Sequence, residues 1–115
     1  MTYMLLIVEP QGQRRARAPQ EGRGLYQQML DYTASLKARG VLLASDSLRA
    51  AATRLSVRAG RQSLIDGPFT ESKELVGGFF LLECATREEA LGHAAECPAA
   101  QWATIEVREV GPCYE

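Results

Sequence analysis

The sequence has little of what several kinds of functional site require. Its 115 residues include a single histidine, so a site that needs two histidines cannot be built within one chain. The formal net charge is -1, which argues against general nucleic-acid binding because phosphate affinity needs an excess of lysine and arginine. The longest apolar run, Met4–Val8, is far too short to span a bilayer. We therefore expect no metal, no cofactor, no membrane contact and no direct nucleic-acid contact.

Cysteine is also scarce, and its spacing excludes a disulfide framework. The three cysteines are Cys84, Cys97 and Cys113, an odd number at wide spacing in a chain long enough to form a core. We expect reduced thiols in a soluble, cytoplasmic protein, with one domain over residues 1–115 and no charged leader before the first strand. His93 and Cys97 have the spacing of half a metal site on a helix, but no second pair is evident. A histidine on the helix surface and a partly buried thiol are the simpler interpretation.

The spacing of apolar residues predicts alternating strands and helices. Tyr3–Val8 is a continuous apolar run, which is typical of a strand buried on both faces. Glu9–Gly24 has almost nothing to bury and is predicted to be a long flexible loop. Thr86 and Glu89 have the spacing of a helix capping box. The other predicted elements are a helix over 25–39, a strand over 41–44, hairpin strands over 54–58 and 63–65 joined at Ala59-Gly60, a strand over 79–82, a helix over 86–97 and a strand over 104–108.

The order of these elements predicts the fold. Two βαβ units of similar size, with a β-hairpin between them, indicate a ferredoxin-like α+β sandwich. Both helices should cover one face of an antiparallel sheet. Strands such as Phe79–Leu82 are apolar on both sides, so the other face also needs cover. A second subunit is the simplest cover, and it predicts a homodimer with a two-sheet, barrel-like interior.

One segment, Ile65–Glu74, has a composition that suggests a functional site. Asp-Gly-Pro forces a turn in which the Asp66 side chain can accept hydrogen bonds from backbone N–H groups ahead of it. Phe69 follows as an apolar anchor. Three charged residues of mixed sign then lie within four positions: Glu71, Lys73 and Glu74. A carboxylate beside an ammonium group can transfer protons, but these charges are equally well explained as solvated residues around a turn that Asp66 stabilises.

The sequence resembles the YCII-related proteins, and specifically the branch that has an Asp-Gly-Pro-Phe motif. The resemblance rests on Tyr3–Ile7, on residues 66–74 followed by Gly77-Gly78-Phe79, and on Glu106–Arg108. It implies a ferredoxin-like fold, a homodimeric α+β barrel, and a cleft between sheet and helices that binds a small molecule. In the wider family a histidine–aspartate pair lies in that cleft, and one related group eliminates chloride from a lactone ring.

This chain departs from the family at that pair. Its only histidine, His93, falls in the middle of the second predicted helix, and no histidine precedes Asp46 or Asp66. Acid–base chemistry would then fall to four residues of the Ile65–Glu74 segment: Asp66, Glu71, Lys73 and Glu74. The candidate ligand-binding residues are Asp46, Arg54, Phe69 and Arg108, where the two arginines would hold an anion bidentately. Asp46 can equally be a loop-start cap.

Charge is distributed unevenly along the chain. Residues 37–61 hold six basic residues and one acid, and residues 83–115 hold seven acids and two bases. These are either two solvated faces or surfaces for anion capture and self-association.

The first hypothesis for the function is a domain that binds a small anionic organic molecule, with weak acid–base activity of the lyase or isomerase type. The alternative is a non-catalytic regulatory module that accompanies a sigma factor, since genes of this branch often neighbour sigma-factor genes. A third interpretation makes Asp66–Glu74 a structural brace at the dimer interface. Arg14–Arg17 is either solvated or a contact for nucleic acid or an acidic partner.

Overall fold

The computed structural model describes residues 1–69 and 71–114 of the chain. In chain order, the elements are β1 (Thr2–Pro10), α1 (Gln13–Ala16), α2 (Pro19–Ala38), β2 (Leu42–Ser47), β3 (Thr53–Arg58), β4 (Arg61–Asp66), β5 (Glu74–Glu83), α3 (Arg87–Glu96), a 3-10 turn (Pro98–Gln101) and β6 (Thr104–Glu109).

The main sheet has four antiparallel strands in the order β2-β5-β1-β6. β5 lies between β1 and β2, and β1 lies between β5 and β6. Each βαβ unit therefore encloses one strand of the other unit, which is the interleaved arrangement of a ferredoxin-like α+β sandwich. The predicted fold class is confirmed.

The hydrophobic core lies between one face of this sheet and the helices. Alternate residues of β1 point toward the helices, and Leu5 in the middle of the strand is fully buried. Leu36 of α2 packs against this face, and Ala90 of α3 joins the same core because its small side chain permits close approach. The Tyr32 hydroxyl donates a hydrogen bond of 2.5 Å to the carbonyl of His93, which joins α2 to α3.

The opposite face of the sheet is apolar but only partly buried. Its central residues alternate with the core positions in β1 and β5: Met4, Leu6, Val8, Phe79 and Leu81. Both sides of these strands are therefore apolar, as the continuous runs in the sequence predict.

The β3–β4 hairpin forms a separate two-stranded sheet. Its turn lies at Ala59 and Gly60, whose φ angles of 52° and 76° are those of a type I′ turn. This confirms the turn predicted from the sequence. Three apolar side chains on one face of the hairpin are more than half exposed: Leu55, Val57 and Leu64.

The prediction of a loop over Glu9–Gly24 is wrong for most of that segment. β1 continues to Pro10, α1 covers Gln13–Ala16, and α2 begins at Pro19. Proline suits the first position of a helix, where its missing N–H costs nothing. The following glutamine, glutamate and arginine side chains propagate a helix without burying a face, so apolar spacing does not reveal this part.

The capping box predicted at the start of α3 is present. Thr86 Oγ1 accepts a hydrogen bond of 3.1 Å from the Glu89 N–H. The Glu89 carboxylate reaches back to the N–H of Ala85 at 2.9 Å, one residue before the cap. None of the helices in residues 1–69 and 71–114 has both the length and the apolar character that a bilayer span requires.

Candidate functional site

A cleft of ≈ 400 Å³ lies between α2 and the helix-facing side of the main sheet. This volume lies within the usual range of small-molecule sites, roughly 300–1,000 Å³. Apolar side chains from the sheet, from α2 and from the chain after α3 make up much of its wall: Ile7, Leu25, Met29, Phe80 and Trp102. Polar groups enter it at the end of β1 and from α1.

A buried carboxylate and an arginine form the polar end of the cleft. Glu9 continues the inward alternation of β1, and its side chain is 5% exposed. Arg14 Nε lies 2.6 Å from Glu9 Oε1. The same guanidinium donates to the carbonyl of Leu48 at 2.6 Å and to that of Gly77 at 3.1 Å. Arg14 therefore links α1 to the ends of β2 and β5, and it neutralises the buried charge of Glu9.

Glycine at position 77 makes this arrangement possible. The register of β1 and β5 shifts at this point, so Gly77 is the extra residue of a β-bulge. A Cβ atom at Gly77 would lie 2.6 Å from Arg14 Nη2 and 2.8 Å from Glu9 Oε1. A Cβ atom at Gly78 would lie 3.0 Å from the carbonyl oxygen of Asp46 in β2. The Gly-Gly pair thus permits the close approach of a side chain and of a neighbouring strand.

The Glu9 carboxylate is held at the end of the cleft by its ion pair with Arg14. Its Oε1 atom is buried and lies 2.6 Å from Arg14 Nε, outside hydrogen-bond alignment. Arg17 lies at the same end of the cleft, with its guanidinium carbon 5.9 Å from the centre of the Trp102 ring. The cleft therefore combines a buried base, two cations and an aromatic face.

The predicted segment Asp66–Glu74 forms a second, separate cluster around Arg54. The Arg54 guanidinium carbon lies 3.7 Å from the centre of the Phe69 ring. Arg54 Nη1 donates a hydrogen bond to Glu71 Oε1 at 3.2 Å, and Nη2 donates one to Ser72 Oγ at 3.3 Å. Asp66 accepts a hydrogen bond of 2.6 Å from the Thr53 hydroxyl. Thr70, part of the family motif, lies outside the described residues.

This cluster borders a second cavity, of ≈ 540 Å³, on the hairpin side of the molecule. Arg54, Phe69 and Glu74 line it. Asp66, Glu71 and Lys73 are exposed and line neither of the two cavities in the described part of the chain.

The remaining predicted residues lie apart from that cluster. Asp46 of β2 lines the first cleft. Arg108 is exposed on the edge strand β6, opposite Met4. The structure thus brings Arg54, Phe69 and Glu71 together and separates them from Asp46 and Arg108.

The residues at the polar end of the first cleft were not among those predicted from the sequence. Glu9 had a detectable signal, because it occupies the inward-facing register that begins with Tyr3 and continues through Ile7. Arg14 and Trp102 had no such signal in the sequence. They reach the cleft only because α1 and the chain after α3 fold against it.

Burial also determines the protonation of three groups in the core. Burial raises the pKa of the Cys97 thiol. Burial raises the pKa of the Cys84 thiol as well, and the Glu89 carboxylate adds to that rise. The pKa of Tyr32 is raised chiefly by burial, so its hydroxyl remains a hydrogen-bond donor to His93 at neutral pH.

The comparisons with known proteins agree with this architecture. An uncharacterized protein of Rhizobium meliloti is 43% identical over 54 residues, a region that spans 47% of this chain and 44% of that protein. The chain thus matches less than half the length of this curated relative.

A solved structure extends the comparison to the whole fold. The 5-chloro-2-hydroxyhydroquinone dehydrochlorinase of Burkholderia phenoliruptrix AC1100, in complex with 2,5-dihydroxybenzoquinone, superposes with a TM-score of 0.57 at 16% identity. The superposition covers 96% of this chain and 94% of that one. At this identity the likeness shows the fold. The family match covers residues 1–113, and the chain belongs to the YCII-related domain family.

Proposed function

We propose that the protein binds a small anionic organic molecule in the cleft between α2 and the sheet, and that Glu9 gives this site weak acid–base activity. The observation that carries the proposal is the ion pair of buried Glu9 with Arg14 at the polar end of a ≈ 400 Å³ cleft, where Arg17 and Trp102 also lie. A largely apolar cleft with a few convergent polar groups is the usual form of a small-molecule site.

Arg17 and Trp102 supply the affinity for an anionic aromatic or conjugated ligand. A guanidinium group binds carboxylate and phenolate oxygens with charge-assisted hydrogen bonds. The indole ring offers a flat face for a second ring. Arg17 is already within cation–π distance of that ring, so the two side chains form one recognition surface.

Glu9 would act as the base of an elimination or an isomerisation. In an elimination, the carboxylate takes a proton from a ligand carbon, the C–H electrons form the new double bond, and the leaving anion departs with the electrons of its own bond. Arg14 pairs with the Glu9 carboxylate at 2.6 Å and fixes its position at the polar end of the cleft. The dehydrochlorinase, which shares the fold, is named for a reaction of this class.

Of the site residues predicted from the sequence, this proposal includes one and leaves the others as predictions. Asp46 lies in the cleft and is proposed as a further ligand contact. A catalytic role for Asp66, Glu71, Lys73 and Glu74 stays a prediction, as do ligand contacts from Arg54, Phe69 and Arg108. Membership of the Asp-Gly-Pro-Phe branch also stays a prediction.

We further propose that the protein is a homodimer whose partner covers the apolar face of the sheet. Leu6 lies at the centre of that face. A dimer in wild-type protein that Leu6→Glu converts to monomer, measured by sedimentation velocity, would support this assembly. A wild-type monomer at micromolar concentration would contradict it.

We propose a cytoplasmic location because the three cysteines are free, as expected in a reducing compartment.

The alternative function is a regulatory module that binds another protein, such as a sigma factor. The observation that favours it is the exposed apolar face of the β3–β4 hairpin, whose residue Leu55 is 59% exposed. A stoichiometric protein partner that co-purifies from native lysate and is lost with Leu55→Ser would support this function. Its absence favours the ligand-binding proposal.

A thermal-shift screen tests the ligand-binding proposal. Hydroxy acids, aromatic and aliphatic, are added to wild-type protein, to Arg17→Gln and to Arg15→Gln. Arg15 is exposed and does not line the cleft, so it is a matched control. At a ligand concentration of 100 times Kd, binding stabilises the fold by about 2.7 kcal/mol. A shift in wild type and Arg15→Gln that is lost in Arg17→Gln supports the proposal. The same shift in all three proteins contradicts it.

A further inference from the structure

Three metal-ligating side chains converge outside the cleft, where β5 leads into α3. Cys84 follows β5, and Glu89 and His93 lie one turn apart on α3. The Cys84 Sγ, a Glu89 carboxylate oxygen and an imidazole nitrogen of His93 all lie within 4.8 Å of one another. None of the three residues lines the cleft of the proposed function.

The His93 side chain is buried, and one of its ring nitrogens is available to bind an ion. The residue is 8% exposed, and its Nε2 atom is buried without a hydrogen-bond partner among the described residues. The nearest carboxylate oxygen, Glu89 Oε1, is 3.8 Å from Nε2, which is beyond hydrogen-bond distance. The other oxygen of Glu89 already accepts the N–H of Ala85. Oε1 and Nε2 therefore lie near each other without a hydrogen bond between them.

The separation of Nε2 and Oε1 suits an ion better than a hydrogen bond. In a tetrahedron, an imidazole nitrogen at about 2.0–2.1 Å and a carboxylate oxygen at about 2.0–2.2 Å from zinc lie about 3.3–3.5 Å apart. The 3.8 Å between Nε2 and Oε1 needs only a small contraction to match. Glu89 is also held in place by the capping box, so its carboxylate is oriented before any ion binds.

We propose that Cys84, Glu89 and His93 form a three-ligand site for a divalent transition-metal ion of the Zn²⁺ type. A thiolate, an imidazole and a carboxylate together favour Zn²⁺ or Co²⁺ over Mg²⁺ and Ca²⁺, which take oxygen ligands. On binding, the Cys84 S–H bond breaks, its proton passes to solvent, and the sulfur lone pair forms the bond to the ion. The Glu89 side chain is 38% exposed, so solvent can reach the ion and fill the fourth position.

Cobalt spectroscopy tests the site directly, because a cysteine thiolate on Co²⁺ gives a near-ultraviolet charge-transfer band. The background is Cys113→Ser, which removes the exposed free thiol. We expect one Co²⁺ per chain, with the thiolate band, and displacement by Zn²⁺. Cys84→Ser should abolish the band. Cys97→Ser, which alters the other buried cysteine, should keep it.

Two further results decide the proposal if Cys84→Ser fails to fold. Glu89→Gln keeps an acceptor for the Ala85 N–H and removes the charged ligand, so it should fold and bind Co²⁺ more weakly. Saturating Zn²⁺ should raise the Tm of the Cys113→Ser protein and raise it less in Glu89→Gln. The proposal is overturned if Co²⁺ gives no band at one equivalent, if the band survives Cys84→Ser, or if Zn²⁺ shifts the Tm of both proteins equally.

Discussion

The guanidinium of Arg14 lies 2.6 Å from the carboxylate of Glu9, and the two side chains differ sharply in exposure. Glu9 is 5% exposed and Arg14 is 37% exposed. Loss of the arginine leaves a charge in the core, whereas loss of the carboxylate leaves a cation that still has two backbone carbonyl acceptors and solvent.

This asymmetry predicts unequal effects of two substitutions on stability. Arg14→Met should lower the free energy of unfolding by about 3 kcal/mol, because an unpaired buried carboxylate remains. Glu9→Gln should lower it by about 1 kcal/mol, because the amide is neutral. Urea unfolding of both variants measures the difference. Equal losses, or a larger loss for Glu9→Gln, would show that Arg14 does not compensate the buried charge.

Gly77 and Gly92 give opposite predictions for the same substitution. Gly77→Ala should cost about 1–3 kcal/mol, because the added methyl group would displace the ends of the Arg14 and Glu9 side chains and disturb their ion pair. Gly92 is exposed within α3, and a Cβ atom there would meet none of the described residues beyond its own helix within 4 Å. Gly92→Ala should therefore stabilise the protein by about 0.5–1 kcal/mol. Thermal unfolding compares them, and a neutral Gly77→Ala would refute the close approach.

The buried thiols predict a loss of stability at alkaline pH. Burial raises the pKa of Cys97 in the folded chain, so the unfolded chain releases this proton first. The stabilisation is complete below the ordinary cysteine pKa of about 8.5 and falls as pH rises above it. Urea unfolding between pH 7 and 10, with EDTA present, should show this decline. Cys97→Ala should reduce the slope, and an unchanged slope would show that Cys97 does not cause the decline.

Arg54 is predicted to hold the Asp66–Glu74 segment in place. Arg54→Lys removes the stacking on Phe69 and cannot reach both Glu71 and Ser72. The global loss should stay below about 1 kcal/mol, since these contacts are largely exposed. Amide exchange around Ser72 should become faster. Arg58→Lys is the control because its guanidinium bonds only to the adjacent Val57 carbonyl among the described residues. Equal rates of amide exchange around Ser72 in both variants would show that Arg54 does not hold the segment in place.

The parts of the fold that depend on short-range patterns could be predicted from the sequence. The Thr86 cap, the Ala59-Gly60 turn and the apolar run of β1 each follow from neighbouring residues, and the structure contains all three. The first turns of α2 could not be predicted by apolar spacing, because they bury almost nothing.

The cleft could be predicted only in part. The family resemblance implies a cleft between sheet and helices, but the side chains at its polar end come from three separate parts of the chain. Glu9, Arg14 and Trp102 meet only after the sheet, α1 and the turn after α3 have assembled. The charged Asp66–Glu74 segment is conspicuous in the sequence, yet Glu71 and Lys73 are exposed and line neither cavity. Local composition therefore predicts the turn, whereas the contacts of this segment with Arg54 are found only in the structure.

Fluorescence of the single tryptophan is the most direct measurement of ligand binding in the cleft. Trp102 lines the cleft and lies beside Arg17, so its emission reports this site alone. Titration with 2,5-dihydroxybenzoate, an anionic aromatic probe, should quench the emission saturably. Arg17→Gln should weaken binding about tenfold or more, since a hydrogen bond to a charged group contributes about 1.5–3 kcal/mol. Arg54→Lys, in the second cluster, should leave the affinity unchanged. Quenching that never saturates, or that is lost in Arg54→Lys and kept in Arg17→Gln, would contradict binding in the cleft.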